Sequence, residues 1–418
     1  FRHSIGKLNS LSIKHCLLTS INSLTDLSIK EHNLFIVDLL SLCNTEDSKL
    51  NTFSCYKNIT NFIPLRKSAL RVLAACHYLE EVREQIFQVL YKALEKPNAE
   101  LQQTAFECMR DFIAGYQVNK DLVYQTVKPL LLTLGDAKNL TLNGVKMLSY
   151  LTQLFPLTFN ENLCEQLLEL LKQLLENLTN THKVSTGVSK KGDEEQKIVT
   201  IIGIFHQTPA ASSKFIGQLC QLILQTEQAM LIEASSPFRD ILMKFLLRYP
   251  AETLEMFLDD NYIKDKQFSR YLEYLIKHKD GKPFRDHIQN SMVKRLIAMA
   301  LANVHVNYTL TAPDRNELQY QSIRIISLLI KFDDQWLSEQ AELVEAFRQI
   351  WCDDAYQERH KNVDNLEYPH WKEPKLLVKI LLHYFCYHPN NVDLLFQLLR
   401  CMCHRFIPEF QVSDCRGC

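Results

Sequence analysis

The sequence predicts an all-α fold, an α-solenoid of stacked helical pairs, and three observations carry that expectation. Glycine is scarce, 10 in 418 residues, where average usage is about 7%. Tight strand turns consume glycine, so a chain this poor in it, with only 13 prolines, favours long helices joined by short polar loops. Apolar residues recur at helical spacing, and no strand-like alternation flanks an Asn-Gly or Asp-Gly turn. The helix between Ser235 and Pro250 is apolar on more than one side, as in a stack where pair partner and next repeat both cover each helix.

The stretch SSPFRDILMKFLLRYP, Ser235 to Pro250, shows the third point. Ser236 suits an N-cap and Pro237 the first helical position, where a missing N–H costs nothing. Phe238, Ile241, Leu242, Phe245 and Tyr249 form one stripe at i, i+3, i+4, i+7 and i+11. Met243, Leu246 and Leu247 lie off it. Arg239, Asp240, Lys244 and Arg248 are left for water, with Asp240 and Lys244 spaced as an i, i+4 pair. Pro250 ends the run.

The elements follow in order. Residues 1–61 are helical in places and poorly readable. Residues 62–178 carry helices at 62–78, 80–96, 98–115, 120–134, 140–155 and 160–178. Asn98 caps one start after Pro97, Gly115 closes that helix, and Asn160-Glu161 opens another. Alternate starts near 62, 98 and 140 recur at about 40 residues, the period of HEAT or armadillo pairs. Residues 179–196, TNTHKVSTGVSKKGDEEQ, are polar and read as a mobile loop between repeats. Residues 197–410 resume the repeats, with helices at 196–207, 211–233, 237–249, 251–259, 265–278, 284–302, 315–331, 335–352, 373–387 and 391–405. Asp314 and Glu317 resemble a capping box after Pro313. Residues 411–418, QVSDCRGC, break the helical pattern.

Composition narrows function. A net charge of −1, from 47 basic and 48 acidic residues, gives no bulk attraction to nucleic acid or anionic membranes. No apolar run approaches the ~18 residues of a membrane span. There is no GxGxxG, GxxxxGK[ST], GxSxG or HExxH, so no phosphate loop or catalytic motif points to a cofactor. Lys190-Lys191 is too short for a nuclear signal. The 13 scattered cysteines fit a reducing compartment, where the Asn-x-Thr sequons at Asn58, Asn139, Asn177 and Asn307 are chance matches. The chain opens FRHSIGK, without Met, and reads as part of something longer.

Candidate sites are few. His383, Cys386 and His388, with Cys401, Cys403, His404, Cys415 and Cys418, are zinc-ligand types. An antiparallel hairpin of 373–387 and 391–405 would leave Cys386 about 15 Å from Cys401 at 1.5 Å rise per residue, so small core cysteines and surface histidines are expected and no metal site. Asp259-Asp260, Asp333-Asp334 and Asp353-Asp354 sit at predicted helix ends, where carboxylates cap and meet the helix dipole. Trp336, Trp351 and Trp371 are expected in helix-pair cores. No catalytic, cofactor-binding or metal residue is assigned.

From about residue 235 to 410 the sequence resembles the TRRAP family, the transformation/transcription domain-associated proteins and their yeast counterparts. The resemblance rests on SPFRD from Ser236, KFLLRYP, HKDGKPFRD from His278 to Asp286, and QSIRIISLLIKFDDQWL from Gln321 to Leu337. YQERH ending at His360, WKEPKLL from Trp371 to Leu377 and LLFQLLR from Leu394 to Arg400 complete it. It implies a HEAT-repeat part of a giant α-solenoid scaffold, related to phosphatidylinositol-3-kinase-like kinases, with the pseudokinase elsewhere. It implies a non-catalytic, nuclear subunit of SAGA and MYST-type histone acetyltransferase complexes. The implied partners are acetyltransferase-complex subunits and transcription activators, with no direct nucleic acid, membrane or small-molecule substrate. Residues 302–313 are shorter than the family's loop there, and the tail 411–418 falls outside the family pattern. A transport receptor of the importin type is the alternative reading, but no Ran-contacting region or acidic concave stretch favours it.

Overall fold

The computed structural model describes residues 32–405 apart from 55, 58, 117, 134–139, 157–160, 185–190, 209, 306–308 and 362–367. Among the described residues every regular element is a helix. The chain divides into two compact units, residues 1–212 and 213–418.

The first unit holds α1 (His32–Asn44), α2 (Asp47–Leu50), α3 (Ile63–Ala75), α4 (Arg83–Glu95) and α5 (Ala99–Gly115). α6 (Lys120–Thr133), α7 (Leu142–Leu154), α8 (Glu161–Val184) and α9 (Lys191–Gln207) follow. α5 packs on both α3 and α4, α7 on α4, α5 and α9, and α8 on α9. Each helix is thus covered by near neighbours in sequence, as in an α-solenoid. The starts expected near 62, 98 and 140 fall at 63, 99 and 142. Asn98 caps α5, its side chain accepting from the Leu101 N–H at 2.9 Å. Gly115 does end α5, but no described glycine has positive φ. The space beside it is occupied instead: a Cβ there would lie 2.5 Å from the His77 ring, which would have to shift.

The expected loop at 179–196 is a correction, because α8 runs to Val184 and α9 begins at Lys191. The Thr179 and Thr181 hydroxyls donate to the Leu175 and Asn177 carbonyls one turn back. Asp193 and Glu194 lie in the first turn of α9, where the dipole favours carboxylates. The polar composition belongs to helix ends. Only 185–190 lie outside the described residues.

The second unit holds α10 (Ile216–Met230), α11 (Arg239–Leu246), α12 (Pro250–Phe257), α13 (Asp260–Ile263), α14 (Lys266–Lys277) and α15 (Lys282–Ser291). α16 (Val293–Ala300), α17 (Ala312–Leu329), α18 (Ala341–Cys352), α19 (Asp354–Lys361), α20 (Tyr368–Tyr387) and α21 (Val392–Arg405) complete it. α17 packs on α14, α16 and α20, and α18 on α16, α20 and α21. The single helix expected over 284–302 is two, broken at Met292. α13 and α19 were not expected.

α11 is buried on two sides: Phe238, Leu242, Phe245 and Leu246 have no exposed surface and Met243 almost none. It is shorter than expected. Ser236 accepts from the Phe238 N–H at 3.2 Å in the preceding turn, and the helix starts at Arg239. Pro250 opens α12. The cap of α17 is Thr311, whose hydroxyl accepts from the Asp314 N–H at 3.3 Å, rather than an Asp314–Glu317 box.

With so little glycine, the last carbonyls of these helices need other donors. Neighbouring helices supply them. Gln102 of α5 donates to the Leu94 carbonyl at 2.9 Å, and Asn143 of α7 to the Glu95 carbonyl at 2.7 Å, both at the end of α4. Arg285 of α15 reaches the Ile276 carbonyl at 2.7 Å, near the end of α14. Arg295 of α16 reaches the Leu258 carbonyl, just past α12, at 2.9 and 2.7 Å. Gln319 of α17 reaches the Ala300 carbonyl at 3.0 Å, and Gln357 of α19 reaches that of Trp351.

Candidate functional site: a cationic recess and a buried ion pair

The second unit contains a recess of about 800 Å³ walled by α14, α17, α19 and α20. Asp265 starts α14 by accepting from the Gln267 N–H at 2.8 Å. That start places Lys266 and Arg270 one turn apart on the recess wall. Arg324 comes from α17, Arg359 and His360 from α19, and Lys372 from α20. Glu317 and Glu373 are the carboxylates that line it.

Neighbouring acids only partly balance Lys266, Arg270, Arg324 and Arg359. Arg270 pairs with Glu233 at 3.2 Å. Arg324 pairs with Glu273, whose other oxygen is taken by Lys277, so one negative charge serves two cations. Burial lowers the Arg324 pKa below its ordinary value, and nearby Arg270 lowers it further. Arg359 is held by the Asn316 side-chain oxygen, by Gln319 Oε1 at 3.1 Å and by Glu373 at 3.2 Å. Its Nε also donates to His360 Nε2 at 3.4 Å, so three of its four acceptors are neutral and fix the guanidinium without neutralising it. Burial pushes the Glu373 carboxyl up to about 7, against the opposing pull of Arg359. Lys266 has no side-chain hydrogen bond or ion pair among the described residues.

A second polar cluster joins α10, α11 and α14. Glu227 is 0% exposed and Arg239 16%. Arg239 directs Nε and Nη2 at one oxygen, Oε2, at 3.0 and 2.9 Å, and Oε1 has no hydrogen-bond partner among the described residues. The guanidinium lies 5.5 Å from the Tyr271 ring centre and 5.6 Å from that of Tyr274. Tyr271 donates to the Arg239 carbonyl at 3.1 Å, and Tyr274 to Asp240 Oδ1 at 2.5 Å. Burial raises both phenol pKa values. Arg239, expected in water, is therefore a correction, and Asp240 meets Tyr274 rather than Lys244.

The other expected positions are structural where they are described. Asp259 and Asp353 accept from the backbone N–H groups of Asn261 and Tyr356 at 2.9 and 3.0 Å, and Asp333 from that of Trp336 at 3.2 Å. Trp351 is buried and Trp336 half-buried. The His383 and His388 rings hydrogen-bond to the Asp334 and Ser338 carbonyls at 2.6 and 2.9 Å. Cys386 is exposed. The side chains of Trp371, Cys401, Cys403, His404, Cys415 and Cys418 lie outside the described residues. No three His, Cys, Asp or Glu side chains converge as metal ligands among the described residues.

The recess was missed as a site, although a signal existed. Arg324 belongs to QSIRIISLLIKFDDQWL, Arg359 and His360 to YQERH, and Lys372 and Glu373 to WKEPKLL. Three stretches quoted for family resemblance thus meet at one cavity.

The family description Tra1 HEAT repeat ring region matches residues 5–414. The match extends into the tail 411–418, which the sequence pattern alone had set outside the family. The chain is 41% identical over 391 residues to the Transformation/transcription domain-associated protein of Danio rerio, covering 91% of this chain and 10% of that protein. It is 42% identical over 392 residues to Transcription-associated protein 1 of Drosophila melanogaster, covering 92% and 10%. Against the SAGA complex/NuA4 acetyltransferase complex subunit TRA1 of Saccharomyces cerevisiae it is 24% identical over 328 residues, covering 72% and 8%. The chain therefore spans about a tenth of the length of the curated relatives it matches. A family match over nearly its whole length, on stacked helical pairs of HEAT period, places this chain in the Tra1 HEAT-repeat ring family.

Proposed function

We propose that the chain is a non-catalytic scaffold segment of a nuclear histone acetyltransferase-complex subunit, linking transcription activators to chromatin acetylation. The family match over residues 5–414 carries this reading. The Saccharomyces and Schizosaccharomyces relatives are named as subunits of SAGA and NuA4 acetyltransferase complexes. Stacked helical pairs support it too, since extended repeat surfaces bind partners through shape and distributed contacts. The partners are other proteins of the complex and activators. A net charge of −1 supports the absence of direct nucleic-acid binding. No described helix is long and apolar enough to cross a membrane. The importin-type alternative has no support in the family match.

The test is affinity purification of the tagged endogenous protein from nuclear extract, followed by mass spectrometry. Acetyltransferase, bromodomain and deubiquitinase-module subunits are the expected co-purifying proteins. Ran and nuclear-pore proteins in their place would overturn the scaffold reading.

A further inference from the structure

We propose that the recess between α14, α17, α19 and α20 is a binding site for a compact polyphosphate, a small molecule carrying two or more phosphate groups. Its volume of about 800 Å³ falls in the range of small-molecule sites, about 300–1,000 Å³. Lys266, Arg270, Arg324, Arg359 and Lys372 reach it from four helices, so the cations surround one space instead of lining a long track. A compact anion with charge on several sides meets them together, whereas an extended acidic chain meets them only in succession.

The arginines suit phosphate in particular, because a planar guanidinium presents paired donors that match phosphate oxygens. Arg359 is already oriented by Asn316, Gln319 and Glu373, and stands over the Tyr356 ring at 5.2 Å. Binding therefore costs little of its side-chain entropy. Glu273 divides one charge between Arg324 and Lys277. Burial and, second to it, the neighbouring Arg270 charge lower the Arg324 pKa, and an anion between the two guanidinium groups offsets that repulsion.

The test is hydrogen exchange by mass spectrometry on the full-length protein at fixed ionic strength, titrated with inorganic tripolyphosphate. Orthophosphate, ATP without magnesium and a decaglutamate peptide are run alongside. Tripolyphosphate is expected to protect 266–277, 312–329 and 354–361, at a half-saturating concentration at least about tenfold below that of orthophosphate. Lys266→Gln with Arg270→Gln is expected to raise that concentration about 10- to 100-fold, the range for losing charged hydrogen bonds. Lys294→Gln, on an exposed position outside the recess, leaves it unchanged, and unchanged exchange over 239–246 shows the fold intact. ATP matching tripolyphosphate identifies the phosphate chain as the ligand, and ATP binding more tightly identifies a nucleotide; both support the site. Equal protection by orthophosphate, stronger protection by decaglutamate, or no response to the double substitution would overturn it.

Discussion

Removing the Arg239 guanidinium tests how the core of the second unit tolerates charge. In Arg239→Ala the Glu227 carboxylate, 0% exposed, would stay buried with neither oxygen paired. Breaking a buried pair by deleting one partner costs about 3–5 kcal/mol, most of it the uncompensated charge. The lost contacts with Tyr271 and Tyr274 fall within that figure and are not added to it. Replacing both partners, as Glu227→Met with Arg239→Met, removes the charge together with its counter-charge, and the cost should return to about 1 kcal/mol or less. The assay is native-state hydrogen exchange on the full-length protein, because damage in a repeat stack stays local. Peptides over 216–230, 239–246 and 266–277 should exchange about 100- to 4,000-fold faster in the single variant, at about 1.4 kcal/mol per tenfold. They should return to within about tenfold of wild type in the double variant. If the double variant exchanges as fast as the single one, the loss is one of packing and the buried-charge argument fails.

Three further outcomes follow from the same structure. Phe245→Ala removes a side chain with no exposed surface and should cost about 3–5 kcal/mol in local exchange, whereas Asp240→Ala, which loses only the Tyr274 hydrogen bond, should cost under about 1 kcal/mol; equal losses would refute the helix-face assignment. Gly281→Ala would place a Cβ 2.1 Å from the Leu275 carbonyl oxygen and 3.0 Å from that of His278, so α14 and α15 should lose about 1–3 kcal/mol, and unchanged protection over 266–291 would show that the turn relaxes freely. Glu373 keeps its proton to about pH 7 in the folded chain against an ordinary value of 4.5, so the folded state binds more protons and stability falls as pH rises from about 4.5 through about 7. Glu373→Gln should flatten that decline, worth up to about 3 kcal/mol, in protection factors over 354–361. Arg359, His360, Glu317 and Tyr356 are among the charged or titratable groups around this carboxyl, and parallel pH profiles for the two proteins would sink the argument.

Features written into neighbouring residues were legible before the structure. Asn98 names its own helix start because cap and capped amide lie three residues apart. The stripe through Phe238, Leu242 and Phe245 names its buried face because one helix carries it. Thr311 was passed over for Asp314 because both satisfy the same local rule, and only geometry chooses. The helix ends at 179–184 and 191–196 are not legible because a polar helix end and a loop share one composition. Arg239 was assigned to water because its partner Glu227 sits on another helix. The recess was hidden for the same reason: its cations come from four helices, and their meeting depends on how those helices stack.

The borrowed donors at helix ends bear on how such a chain can be lengthened or shortened. Gln102 and Asn143 close the end of α4 from α5 and α7, and Gln319 closes α16 from α17. A cut that respects helix pairs would strand carbonyls on one side and amide donors on the other. The segment that can be duplicated or lost cleanly runs from one donor to the carbonyls it serves, out of phase with the visible pair. Splices placed in that offset frame should give folded chimaeras where splices at pair boundaries fray. The grammar by which this array grows is thus written in its junctions.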